Sequence, residues 1–329
     1  MRAENLNLPG LALLIEGGRW PEGAANAASR REHSALVAEF RTRTAALPSE
    51  CRIAVIDRTT DMETPEAMMQ AIWRMGGKAP ALDRWKTETM WMSGYNAPSC
   101  RFFAAEKIAC VFPGHVGSDF LRESVHSPLA FGRNAPPRTT SARIIIYHEA
   151  FGHGTEPEVL FREAEDGWEN RRRRYNQELR ADIAAVAGIC RDEGNTGAAR
   201  AWAAMRDCAS MHTLPIYPAY VYANGPALRR VIAEIEGKGP SFRKLDDAAL
   251  IGFINDAHAR MEVDEAAMES RNDLLRTAYD VLHGKGEKTA DAMAYLNDCA
   301  QSLCLLCKVD AHQLWKTPAP GKRGPAPKF

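Results

Sequence analysis

Hydrophobic positions recur at helical spacing through most of this 329-residue chain. Ala, Leu, Val and Phe repeat at intervals of three and four over 24–47, and Pro48 stops the run. Helical patterns return over 65–75, 198–210, 225–237, 243–262, 264–283 and 287–314. Residues 161–190 predict a longer helix, with the apolar run Ile183-Ala184-Ala185-Val186-Ala187 in its second half. The pattern changes in two places. Arg52-Ile53-Ala54-Val55-Ile56-Asp57 predicts a short strand before a turn-like Thr-Thr-Asp. Residues 100–112, ending in Lys107-Ile108-Ala109-Cys110-Val111-Phe112 and stopped by Pro113-Gly114, predict one or two more. The implied class is α+β, predominantly helical, with a small sheet early in the chain and a helical C-terminal half.

Within that frame 1–140 forms an N-terminal α+β part and 141–316 a helical part, read together as one continuous unit. Residues 132–140 are a loop from which Thr140 or Ser141 is placed to cap the next helix. Residues 317–329, rich in Pro, Gly and base, read as a disordered tail. The apolar run from Leu8 to Ile15 lacks a charged leader and ends in Glu16-Gly17-Gly18, a poor match to a signal peptide, and no run reaches the length of a membrane span.

Candidate chemistry sharpens the picture at one place. Ile144-Ile145-Ile146 runs into Tyr147-His148-Glu149-Ala150-Phe151-Gly152-His153-Gly154, so the histidines belong to a buried element, where ionisable groups are rare unless paired or metal-bound. Two histidines four residues apart on an α-helix share a face, being separated by ~40° around the axis at ~100° per residue. His148 and His153 are five apart, which on a regular helix separates them by ~140°. A one-residue π-bulge restores a common face, and Gly152 leaves room for it. His148 and His153 are thus candidate metal ligands on a bulged helix, and Glu149 is the candidate general base. Downstream, Gln177-Glu178-Leu179-Arg180-Ala181-Asp182 sets two carboxylates one helical turn apart. Glu178 is the expected third ligand and Asp182 the acceptor that orients a ligand histidine, with the reverse assignment open. Zinc is the expected metal, with three protein ligands and one position left for water.

These residues resemble dipeptidyl peptidase III, a gluzincin-like zinc exopeptidase family with the motifs His-Glu-x-x-Gly-His and Glu-Glu-x-Arg-Ala-Glu. The first is matched in full by His148-Glu149-Ala150-Phe151-Gly152-His153; the second is matched with Gln177 and Asp182 in place of two glutamates. The resemblance implies that Glu178 binds zinc and Asp182 supports a ligand histidine. It covers about 35 residues of the chain. It implies a zincin-like arrangement, with a sheet before the metal-binding helix and a sheet edge that pairs with an extended peptide; the strand at 107–112 is the candidate edge.

The reading that follows is a zinc metallopeptidase acting on peptide or protein substrates, with a non-catalytic zincin-like binding protein or a zinc hydrolase of a non-peptide amide or ester as alternatives. Oxyanion donors are sought in the aromatic segment after residue 210, where His212, Tyr217, Tyr220 and Tyr222 stand. Lys plus Arg equals Asp plus Glu, 42 each, which argues against a dedicated nucleic-acid or membrane-surface binder. Eight scattered cysteines fit a reducing cytoplasm. Cys299, Cys304 and Cys307, set among leucines, read as core residues. The Arg171–Arg174 run reads as an exposed helix face paired with nearby acids, with the grip of a substrate carboxylate or phosphate as the sharper alternative.

Overall fold

A computed structural model of the chain describes residues 3–16, 27–47, 51–96, 98–113, 138–155, 168–194, 196–213, 223–307 and 314. The helices are α1 (Leu8–Glu16), α2 (Ala27–Ala45), α3 (Pro65–Gly76), α4 (Arg84–Asn96), α5 (Arg138–Ile146), α6 (Trp168–Glu193), α7 (Gly197–Thr213), α8 (Gly225–Lys238), α9 (Asp247–Met261), α10 (Glu265–Leu282) and α11 (Ala290–Cys307). Short 3-10 turns occur at Ala3–Asn5 and Gly239–Lys244, and a π-helix, Tyr147–His153, continues α5. The strands are β1 (Arg52–Val55), β2 (Ser99–Phe103) and β3 (Ile108–Phe112). The protein is therefore α+β and predominantly helical. Among the described residues, no helix is long and apolar enough to cross a membrane.

The sheet has the order β1-β3-β2. β1 runs parallel to β3, with Arg52 opposite Ile108 and Val55 opposite Val111. β2 runs antiparallel to β3, with Ser99 opposite Phe112 and Phe103 opposite Ile108. The segment expected to be a sheet edge is consequently its centre. Every residue of β3 is buried, because helices cover both faces and a strand bonds on each side. The edge nearer the histidines is β2.

Side-chain alternation divides the core. Ile108, Cys110 and Phe112 join Ala54, Ile56, Met68, Ile72 and Met90 beneath α3 and α4, while Val55 and Val111 face the main helical body. Gly76 and Gly94 let these helices lie close: a Cβ at either would stand 2.4 Å from Ile108 or from the Phe112 ring. Thr64 caps α3 by accepting from the Ala67 N–H, Pro65 occupies its first turn, and Gly77 closes it at φ 70°.

The main body is built around α6. Its residues from Ala181 to Ile189 are fully buried, as the apolar run of the sequence requires. α5, the π-helix, α7, α8 and α9 surround it. α5 starts at Arg138, so Thr140 and Ser141 lie inside the helix rather than at its cap; the Thr140 hydroxyl instead bonds the Glu193 carboxylate. Cys299 is buried in α11, whereas the side chains of Cys304 and Cys307 lie outside the described residues, as do the 317–329 tail, 161–167 and the remainder of the 132–140 loop.

Candidate metal centre

The extra residue between the histidines is absorbed by the π-helix. The Gly154 N–H donates to the Glu149 carbonyl, five residues back, at 2.9 Å. An i to i+5 repeat puts residues five apart on one side, and the imidazoles of His148 and His153 meet with ring centroids 4.9 Å apart.

Three local devices hold this turn. Gly152 packs against α6 at Ala181, whose Cα would lie 2.4 Å from any Cβ placed at 152. The buried Arg180 donates from Nη1 to the Phe151 carbonyl at 3.2 Å and to the Gly152 carbonyl, and from Nη2 to Thr155 Oγ1 at 2.9 Å and Asn255 Oδ1 at 2.8 Å. It thereby occupies carbonyls at the end of the turn. At the other end the Tyr147 ring lies on Gly188. The Tyr147 hydroxyl donates to Asp192 Oδ2 at 2.7 Å and accepts from Arg191 at 2.7 Å and Arg43 at 2.5 Å. Both arginines also bind Asp247, which ties α2, α6 and α9 to the turn.

The histidines face one carboxylate. His148 Nε2 lies 3.5 Å from Glu178 Oε2, and His153 Nε2 lies 3.7 Å from Glu178 Oε1. One ligand atom from each of the three residues falls within 4.8 Å of the others. Ligands about 2.05 Å from a tetrahedral ion stand roughly 3.3 Å apart, so the set, spread over up to 4.8 Å, closes on a cation by drawing inward. The site can hold a metal ion on His148, His153 and Glu178.

Asp182 has another task. Its Oδ1 accepts from Trp202 Nε1 at 3.0 Å and from Arg206 Nε and Nη2 at 2.9 and 2.6 Å, and its Oδ2 accepts from Asn224 Nδ2 at 2.9 Å. His148 Nδ1 lies 3.1 Å from the same Oδ1, on a bent approach, with its Nε2 toward Glu178. Four polar atoms around one oxygen leave Asp182 spoken for, and Glu178 is the carboxylate set within reach of both histidine Nε2 atoms.

The electrostatics follow from burial. Burial pushes the Glu149 carboxyl up to about 7 and raises Glu178 as well. It would raise Asp182 too, but the Arg206 charge and the bonds from His148 and Arg206 outweigh it and hold Asp182 at about 2. Burial, with His148 alongside, drives His153 well below its ordinary value, which keeps it a neutral donor. For His148 burial pulls downward, yet the bond and charge of Asp182, followed by Glu178, raise it. Three carboxyl groups and two imidazoles thus gather in one buried place, a donor-rich cluster that suits a cation.

Among the described residues the Glu149 carboxylate makes no hydrogen bond. Its charge is felt at Cys100 on β2, where burial first and Glu149 second push the thiol well up, so the edge strand borders the base. The proposed oxyanion donors Tyr217, Tyr220 and Tyr222 lie outside the described residues; His212 falls in the last turn of α7 with its side chain undescribed. Arg174 is exposed and Arg172 and Arg173 are half-buried.

Sequence reasoning missed Trp202, Arg206 and Asn224. The signal for the first two was a charged pair, Arg206-Asp207, ending the apolar stretch Ala201 to Met205. Nothing in the sequence marks Asn224. Compared with known proteins, the chain matches no family model, no curated protein and no solved structure.

Proposed function

We propose that this chain is a zinc-dependent hydrolase that cleaves peptide bonds. The observation that carries the reading is the Glu149 carboxyl, with no hydrogen bond among the described residues, on the same π turn as His148 and His153 and beside the metal set that they complete with Glu178 of α6. Two imidazole nitrogens and one carboxylate oxygen form a donor set that suits zinc and leaves room for a fourth ligand. When bound there, zinc supplies Lewis acidity, polarising a carbonyl and bringing the pKa of water to about 7.

The remaining work falls to the protein. Glu149 accepts the proton of the attacking water and returns it to the leaving amine, a task suited to a buried carboxyl on the turn that carries both histidines. Asp182 fixes the Nδ1–H tautomer of His148 and so presents its Nε2 lone pair. β2, which has no partner on its outer side among the described strands, offers backbone groups to an extended substrate next to Glu149.

The test is metal analysis of the purified protein followed by mass-spectrometric screening against peptide mixtures. Wild type is expected to carry zinc and cleave peptides. Glu149→Gln should retain zinc and lose roughly 10²–10⁴-fold in turnover. A Glu149→Gln protein with undiminished hydrolysis refutes the assigned base, and a zinc-loaded wild type that cleaves no peptide, amide or ester leaves a non-catalytic metal site.

A further inference from the structure

The metal reading leaves one feature unused. Arg206, on α7, is 6% exposed and spans both carboxylates of α6. Its Nε and Nη2 converge on Asp182 Oδ1, while the same Nη2 lies 3.4 Å from Glu178 Oε2. Its guanidinium carbon lies 4.8 Å from the Trp202 ring centroid, and Trp202 also donates to Asp182. A planar fork held on an aromatic ring has little freedom to swing away.

A carboxylate can bind a metal through one oxygen or two, and a neighbouring carboxylate can join it. Two-oxygen ligation fills the position a hydrolase must keep for water. Resting on the zinc-site reading above, we propose that Arg206 is the positioning residue that keeps this centre low-coordinate. It competes for Oε2 of Glu178, the oxygen that also lies 3.5 Å from His148 Nε2, which leaves Oε1 the less encumbered of the two, and it holds Asp182 off the ion. The contact to Glu178 is longer than the 2.7–2.9 Å typical of charged hydrogen bonds, so it acts as an electrostatic tether, whereas the grip on Asp182 is a true fork.

Removing the guanidinium frees both constraints. Glu178 can then turn two oxygens to the metal and Asp182 can compete with it. The centre should shift toward the higher coordination and oxygen-rich donor sets that manganese accepts and tetrahedral zinc does not.

Cobalt(II) reads this directly, because four-coordinate cobalt absorbs visible light far more strongly than five- or six-coordinate cobalt. Full-length wild type loaded with cobalt is expected to show the strong band, and Arg206→Met to lose it. Zinc affinity should fall about tenfold or more in the variant, with manganese affinity retained or raised. Trp202→Phe, which removes one donor from Asp182 and leaves Arg206 in place, should keep the band. A melting curve of metal-free protein shows whether Arg206→Met folds. If it does not, Arg206→Lys, which keeps the charge without the fork, should show the same change in smaller measure. A folded Arg206 variant with the wild-type cobalt spectrum and unchanged zinc-to-manganese preference overturns this role and leaves the metal site standing. A wild type that takes up neither cobalt nor zinc overturns both.

Discussion

Gly152→Ala is the smallest change that puts the site geometry at risk. A Cβ at 152 would lie 2.4 Å from Ala181 Cα and 2.7 Å from Ala181 Cβ. Non-bonded carbons prefer about 3.5–4.0 Å, so the π turn and α6 must part by on the order of 1 Å. Neither wall yields as a flexible side chain would: one is the backbone of α6 within its fully buried stretch, the other a turn anchored by Arg180 and Tyr147. Overpacking of this kind costs about 1–3 kcal/mol. Replacing a helical glycine by alanine returns about 1 kcal/mol of backbone propensity, too little to reverse the sign against a backbone contact. The same displacement falls on the ligands, since both histidines ride on the moving turn and Glu178 sits on the wall. Their 3.5 and 3.7 Å spacings to Glu178 open beyond the roughly 0.5 Å tolerance of a functional site. Urea denaturation of metal-free protein should show the stability loss, and metal uptake at fixed zinc concentration should fall. Adding Ala181→Gly should rescue only in part, because the closer Cα remains. A Gly152→Ala protein at least as stable as wild type, with full metal uptake, would refute the close-packing argument.

Other outcomes follow from the same geometry. Arg180→Met strips buried donors from the Phe151 and Gly152 carbonyls and should destabilise by about 1–3 kcal/mol per orphaned group; Arg180→Lys should recover little, and an unchanged denaturation midpoint would contradict the role. Asp207 is fully buried, its Oδ1 has no partner among the described residues, and burial lifts its carboxyl to about 6 in spite of Arg229. Because the folded value lies above the unfolded one, its contribution to stability is complete below about pH 4 and disappears as pH rises through about 6. Relative to Asp207→Asn, wild type should therefore lose about 3 kcal/mol over that window, and parallel pH–stability curves would count against the assignment. Zinc at a hundred times its Kd should add about 2.7 kcal/mol to wild type and raise the melting temperature; chelator should remove the gain, and His153→Ala should show none.

The helices and the strands were legible because each has its own periodicity. The 225–237 pattern became Gly225–Lys238 and the 65–75 pattern became Pro65–Gly76. Residues 84–96, which hold Trp85, Trp91 and Tyr95, show no helical periodicity although they form α4, since Trp85 and Met92 stay exposed and blur the apolar stripe. Strand order was not legible either. Pairing is a relation between segments, and the run at 107–112 carries no mark that β1 and β2 flank it on both sides.

At the candidate centre the residues themselves determined a great deal. A five-residue histidine spacing is incompatible with a shared face on an α-helix, so a common ion called for an irregular turn, and the turn is a π-helix. The pair Glu178 and Asp182 likewise had to share a helix face. Which of them meets the histidines was decided only by the tertiary fold. α7 and the start of α8 bring Trp202, Arg206 and Asn224 onto Asp182 from 20, 24 and 42 residues away, and four polar atoms crowd one of its oxygens. Helical spacing encodes direction within one element; the division of work between two equivalent carboxylates depends on the charges that other elements carry to them.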